Sequence, residues 1–302
     1  MSVEVKIVQK GLFGKKKLGK ELLNTVVNKL KISYGVKGTN FKTMEYNESM
    51  HSEDVGYCLY NKSQLGIGIA LWFSHNHYDC YIGMGSPATV ADINMFYDIV
   101  AEVCNQIGSD VYEIGNNRNL KVTDIPNHKS GLIDLNIELI RKIFHEQKDT
   151  TVVGAIYPIV IENEQIEKWL LLDKDALSKD YAEYLHDKQK DEYDYPNPEI
   201  FMNKSINKYC GMHQVIAGDK TIVPLVCKVP IHYKNEIKEI AEWKIGIYEK
   251  TGEEYQMVAF MYYDIFAKEY ELSSRPRFDE DYVIIEITEK EVEQLKKVSE
   301  EI

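Results

Sequence analysis

Near the start of the chain Val3, Val5 and Ile7 alternate with Ser2, Glu4 and Lys6, the period of two that marks a half-buried strand. Gly11-Leu12-Phe13-Gly14 reads as a turn. Leu18, Leu22, Leu23, Val26, Val27 and Leu30 then recur at helical spacing, which predicts an amphipathic helix with lysines on its outer face. Between 57 and 85 the apolar positions alternate again, Ile67, Ile69, Leu71 and Phe73 on one run and Tyr78, Cys80, Ile82 and Met84 on the next. Ser74-His75-Asn76-His77 between them has the length of a hairpin loop. Thr89-x-x-Asp92 is a capping box, Ile93, Phe96, Val100, Val103 and Ile107 form the stripe behind it, and Gly108 sits at the C-cap position, so a helix runs from about 90 to 107.

Farther on, the pattern predicts a short strand at Val111 to Ile114, a polar loop through Pro126 and a helix from Leu132 to His145. It then gives one buried strand from Thr150 to Ile161 and an acidic helical stretch from Glu164 to Lys190, broken near Asp173. The segment 191–198, with Pro196 and Pro198, is a loop because each proline removes a donor and biases its neighbour to extended backbone. Strands follow at Gln214 to Ile216, Thr221 to Val229 and Tyr282 to Ile287, and a hairpin joins Trp243 to Tyr248 with Tyr255 to Met261 through Lys250-Thr251-Gly252. Thr288-x-x-Glu291 caps a last helix. Strands paired as hairpins and interrupted by helices indicate an α+β fold of mostly antiparallel sheets, with helices packed on one face and two lobes. No repeat and no low-complexity tract interrupts this pattern.

Composition narrows the class. The 302 residues are 44% hydrophobic and 28% charged, with 18 Gly and 8 Pro, which is ordinary for a globular chain and excludes collagen, coiled coil and disorder. Residues 1–150 carry 17 basic and 17 acidic groups, whereas 151–302 carry 19 and 31, so the net charge of −12 belongs to the second half. On that basis 1–149 forms an N-terminal lobe with a basic start and 150–302 an acidic one, unless a single sheet spans both. Only four arginines stand among 32 lysines, which disfavours nucleic acid as a partner. Five widely spaced cysteines without a C-x-x-C motif fit reduced thiols, and the start resembles no secretory leader, so a cytoplasmic protein is expected. The longest apolar runs are far shorter than the roughly 18 residues that span a bilayer.

Complete catalytic motifs are missing: there is no phosphate-cradling glycine loop and no nucleophile elbow. The one compact constellation is Ser74-His75-x-His77-x-Asp79, which resembles the signature of the metallo-β-lactamase superfamily. Two imidazoles and a carboxylate at the end of an apolar strand are what a hydrolytic metal site uses. That resemblance implies a divalent metal, zinc or another, on His75, His77 and Asp79, with Asp219 of Gly218-Asp219 as a bridging ligand. His128 or His145 would stand for the middle histidine and His232 for the last, while Cys80 occupies a place where the pattern carries histidine. The same residues also read as the polar tip of a hairpin that binds nothing.

A partner-binding reading stands beside it. The chain holds 21 tyrosines, a residue that interfaces favour. Tyr193 and Tyr195, together with the pair Arg275 and Arg277, are its candidate contacts, against the alternative that the arginines form a turn pairing with Asp279, Glu280 and Asp281. Taken together, the opening strand with Gly11-Leu12-Phe13-Gly14 and Lys15 to Lys17, and the helix start Pro87-x-Thr89-x-x-Asp92-Ile93-x-x-Phe96-Tyr97, resemble a family of uncharacterised Gram-positive bacterial proteins. That resemblance implies no activity, catalytic residue or cofactor. The expectation is therefore a protein that binds another protein, of the inhibitor or immunity type, without a cofactor. The alternative is a metal-dependent hydrolase. Neither nucleic acid nor a membrane is expected as a partner, and the oligomeric state is open.

Overall fold

The computed structural model describes residues 2–9, 17–38, 42–44, 56–115, 118–146, 150–230, 233, 236–252 and 254–299. The turn expected at 11–14 and His232 lie outside them. The chain divides into two compact units, residues 1–190 and 191–302. The break in contacts falls at the start of the proline-containing segment, so residues 150–190 pack with the N-terminal unit although their charge resembles that of the C-terminal one. Residues 191–302 hold 14 basic and 23 acidic groups.

The first unit is built on an eight-stranded, wholly antiparallel sheet. Its strands are β1 (Val3–Val8), β2 (Ser33–Lys37), β3 (Thr43–Met44), β4 (Tyr57–Tyr60), β5 (Ile69–Phe73), β6 (Asp79–Met84), β7 (Val111–Ile114) and β8 (Arg118–Lys121), in the order β3-β2-β4-β5-β6-β1-β7-β8. The alternation at the N-terminus is that of a half-buried strand, with Val5 and Ile7 fully buried and Glu4 exposed. β1 is nevertheless interior, pairing with β6 on one side and β7 on the other.

Helix α2 (Val90–Ile107) covers the inner face, packing on β1, β5, β6 and β7 and burying Ile93, Phe96, Val100 and Val103, and α1 (Lys20–Leu30), which buries Leu23 and Val26, packs against α2. Farther along come α3 (Ile125–Glu146), α4 (Asn163–Leu170) and α5 (Lys174–Gln189). They lock together through Trp169, whose ring stacks on Phe144 at 5.2 Å and meets the edge of Tyr181 at 5.4 Å. Asp173 caps α5 by accepting from the Ala176 amide, which accounts for the break in the acidic stretch.

Part of the outer face is also covered. Lys37 of β2, Thr43 of β3 and Cys58 of β4 all donate to the carbonyl of Ala155, and Lys37 also to that of Gly154. Ala155 lies in the turn of a hairpin formed by β9 (Thr150–Val153) and β10 (Pro158–Ile161). The single strand expected from Thr150 to Ile161 is therefore two, because four residues in its middle make the turn that the three side chains grip. The expected loop through Pro126 is also more ordered than its polarity indicates. β8 and a 3-10 turn (Val122–Asp124) fill it, and α3 begins at Ile125, with Pro126 in the first turn where a missing amide costs nothing.

The second unit holds a four-stranded sheet of β11 (Glu199–Asn203), β12 (Lys208–Ile216), β14 (Glu242–Thr251) and β15 (Glu254–Tyr262), in the order β11-β12-β14-β15. The β12–β14 pair is parallel and the others antiparallel. A separate antiparallel pair joins β13 (Thr221–Pro224) to β16 (Tyr282–Ile285). Helices α6 (Tyr263–Glu269) and α7 (Glu289–Leu295) close a core of Val215, Ile245, Ile247, Met261, Phe266, Val283 and Val292. The Thr288–Glu291 capping box forms as expected. The molecule is thus an α+β fold of mostly antiparallel sheets.

Asp92 does more than cap α2. Its buried carboxylate accepts from the Thr89 amide at 2.9 Å and hydroxyl at 2.7 Å, and also from the amides of Ile67 at 3.1 Å and Gly68 at 3.2 Å. Burial pushes this carboxyl above the usual carboxylate range, against the opposing effect of those donors. A methyl at Gly66 would collide with the carboxylate. Asp92→Ala leaves four donors without an acceptor and should cost about 3 kcal/mol in urea unfolding, given ~1–3 kcal/mol per stranded buried group. Gly66→Ala should destabilise through the same contact, and a stability change below ~0.5 kcal/mol for either variant would show that this junction bears little of the fold.

Candidate functional site

The His-x-His-x-Asp segment folds as the loop between β5 and β6. Asn76 is its organiser: its side-chain oxygen accepts from the Ser74 hydroxyl at 2.6 Å and the Tyr78 amide at 3.1 Å, while Ser74 Oγ accepts from the Asp79 amide at 3.0 Å. The His77 amide donates to the Ser74 carbonyl at 2.7 Å, and His77 itself adopts a left-handed φ of 60°. His75 is exposed, His77 half-buried, and Asp79 pairs with Lys6 of β1 at 3.2 Å. Cys80 is buried on the inner face, and burial drives its thiol pKa up. His128 and His145 are both on α3, and Asp219 belongs to the second unit, in the turn after β12. Among the described residues no group of three or more His, Cys, Asp or Glu side chains is arranged to hold a metal ion. Asn76→Ala should cost about 1 kcal/mol in urea unfolding through the lost turn bonds, whereas His75→Ala should stay within ~0.5 kcal/mol.

Tyr193, Tyr195, Arg275 and Arg277 all make contacts inside the second unit. Tyr193 meets the edge of Phe278 at 6.1 Å and Tyr195 lies against Tyr282 at 5.6 Å, which fastens the proline segment beside the β13–β16 pair. Arg275 stacks over Tyr270 at 3.7 Å and bridges to Glu291 at 2.8 Å, in an open cleft of about 440 Å³ that Glu269 and Glu271 also line. Arg277 donates to the Glu280 carbonyl at 3.1 Å.

The surface feature that these contacts do not absorb is the hairpin β11–β12. Phe201 (44% exposed), Met202 (42%), Ile206 (43%) and Tyr209 (37%) lie within nine consecutive residues. In register Phe201 opposes Cys210 and Met202 opposes Tyr209, so Met202 and Tyr209 stand side by side on one face and Phe201 on the other. Among the described residues β11 is the outermost strand on its side of the sheet. The opposite edge is different, because Ser299 Oγ bonds both the amide and the carbonyl of Phe260 in β15 at 2.8 and 3.0 Å. β11 went unseen in the sequence because Glu-Ile-Phe-Met-Asn has no clean alternation. A legible cue was the turn chemistry of Asn203 and Asn207: Asn203 Oδ1 accepts from the Ser205 amide at 3.0 Å, and Asn207 takes a left-handed φ of 52°.

Deeper on the Met202 face of the same sheet, His213 of β12 is 5% exposed, stacked on Trp243 at 5.4 Å and against Tyr263 at 5.3 Å. Trp243 can lie there because Gly211 leaves room for its ring. His213 Nδ1 has no hydrogen-bond partner among the described residues, and burial lowers the imidazole pKa to about 4. The unfolded chain, with an ordinary histidine near 6.5, takes up a proton before the folded one does, so stability is intact above about pH 6.5 and falls as pH drops toward 4. The loss should reach about 2 kcal/mol at pH 5 in urea unfolding of the full chain, and His213→Phe should remove that part of the pH dependence. An unchanged pH profile in the variant would show that the imidazole is not held neutral.

No helix among the described residues is long and apolar enough to cross a membrane. No curated protein and no solved structure matches the chain. A family match spans residues 2–295, and so takes in the eight-stranded sheet, the capped helix α2 and nearly all of the second unit. On that match, the chain belongs to the family described as domain of unknown function (DUF4299).

Proposed function

We propose that the protein acts by binding another protein, as a regulatory module of the inhibitor or immunity type working in the cytoplasm without a cofactor. The binding surface in this reading is the β11 edge. The observation that carries it is the concentration of exposed Phe201, Met202, Ile206 and Tyr209 on a hairpin whose outer strand, β11, pairs on its far side with no other strand among the described residues. Monomeric proteins blunt such edges with charge, proline or a covering segment, as Ser299 does at β15. An open apolar edge accepts an extended strand, with backbone hydrogen bonds giving affinity and flanking side chains giving selectivity.

A photo-crosslinking residue at Met202 should capture a defined protein that the same residue at exposed Val226 does not. That protein, once purified, should bind the full chain directly, and Phe201→Asp/Met202→Lys should weaken binding at least about tenfold, the scale of a lost interface anchor. Equal capture at both positions, or binding indifferent to the double variant, would overturn the reading.

A further inference from the structure

We infer that the partner segment which docks on β11 is a strand running antiparallel to it, with three consecutive apolar residues between an acidic residue at its start and a basic residue at its end. This rests on the reading of β11 as an edge that binds another protein, and it states the chemistry of that protein's segment. Side chains alternate along a strand, so Glu199, Phe201 and Asn203 share one face of β11 while Ile200 and Met202 share the other. Each face asks for a different part of the pattern.

On the Met202 face the surface is apolar. Met202 lies beside Tyr209, and Ile200 is paired with Gly211, which is paired in turn with Trp243 of β14. Because Gly211 has no side chain, the Trp243 ring lies over it, so Ile200, Met202, Tyr209 and Trp243 form one partly exposed shelf. Two side chains at alternate positions of an added strand, one opposite Ile200 and one opposite Met202, would rest on that shelf. Both must be apolar to be covered there without a stranded polar group.

The Phe201 face is apolar at its centre and charged at its ends. Phe201 opposes the buried Cys210, Asn203 opposes Lys208, and Glu199 opposes Met212. Glu199 and Lys208 are exposed, and neither pairs with an opposite charge among the described residues, whereas Lys228 pairs with Asp281, Arg275 with Glu291 and Lys296 with Glu293. Lys244, the cation next along the row from Glu199 through Met212, lies instead over the Phe260 and Tyr262 rings at 4.9 and 4.4 Å. A basic residue opposite Glu199 would meet an unspent carboxylate directly. An acidic residue opposite Asn203 would stand about 10 Å from Lys208 between Cα atoms, two strand spacings, a gap that two long side chains close over Asn203. Antiparallel pairing is the more stable per residue, and it fixes the order as acid first and base last.

The test uses the full chain and two dye-labelled peptides of identical composition, Thr-Glu-Val-Phe-Val-Lys-Thr and its reverse, titrated by fluorescence anisotropy up to about 1 mM, where even weak pairs register. The first should bind about fivefold more tightly than the reverse, because reversal turns two matched cross-strand charge pairs into two mismatched ones. Glu199→Lys/Lys208→Glu exchanges two exposed charges without touching the core, and it should invert the preference. Equal affinity of the two peptides, tighter binding of the reverse, or a preference that the double variant leaves unchanged overturns the proposal. A crosslinker at Met202 that joins two copies of this chain overturns it as well. If neither peptide binds while that crosslinker captures a defined foreign protein, the binding edge stands and the pattern inferred for its occupant falls. If the crosslinker captures nothing either, both readings fall together.

Discussion

A buried carboxylate holds the first unit in register. Asp92 sits at the N-terminus of α2, where its charge is favourable to the helix, and reaches across to the amides of Ile67 and Gly68 just before β5. One side chain thus fixes where the central helix starts and where the adjoining strand enters the sheet. The neighbouring groups extend the junction. The Ala155 amide and Gln189 Nε2 both donate to the Gly66 carbonyl, and Gln189 Oε1 accepts from the Ile156 amide. The β9–β10 turn, the end of α5 and the 66–68 loop are therefore joined by satisfied polar contacts, which is the condition under which burying them is tolerable.

Around the β9–β10 turn the same logic explains a lysine and a cysteine that otherwise resemble chemistry. Lys37 and Cys58 converge on the Ala155 carbonyl with Thr43. Burial lowers the lysine pKa and raises that of the thiol, so both shifts disfavour charge. The group acts as a clasp that closes one end of the sheet's outer face.

The second unit is organised differently. Its core is a continuous apolar cluster beneath a mixed sheet, and the buried imidazole of His213 is held by two aromatic rings, with no polar partner at Nδ1 among the described residues. The sheet outgrows that core. β12 is nine residues long, and where it passes the cover of α6 its first residues pair with β11, leaving Phe201, Met202 and Tyr209 exposed. A strand continued beyond its own core has lost the local reason to be apolar, and this is why the exposed side chains of the hairpin stand out.

Local rules made much of this legible in the sequence alone. The Thr89–Asp92 and Thr288–Glu291 boxes, the Gly108 cap, the alternation of β1, β5 and β6 and the break at Asp173 depend on residues within a turn or a strand of each other, so spacing determines them. The same holds for the turn at His75–His77, whose shape is set by Ser74 and Asn76 within the loop, although its His77 carbonyl also accepts from the distant Leu18 amide. What lay beyond reach depended on partners distant in sequence. That Asp92 would also hold Ile67 and Gly68, that β1 would become an interior strand, and that the turn around Ala155 would be gripped by Lys37, Thr43 and Cys58 follow from chain segments brought together only by folding. The candidate edge belongs to this second class: five residues, Glu199 to Asn203, carry no periodicity of their own and become a strand because β12 offers them a ladder of backbone hydrogen bonds, so only the tertiary structure could make them an open edge.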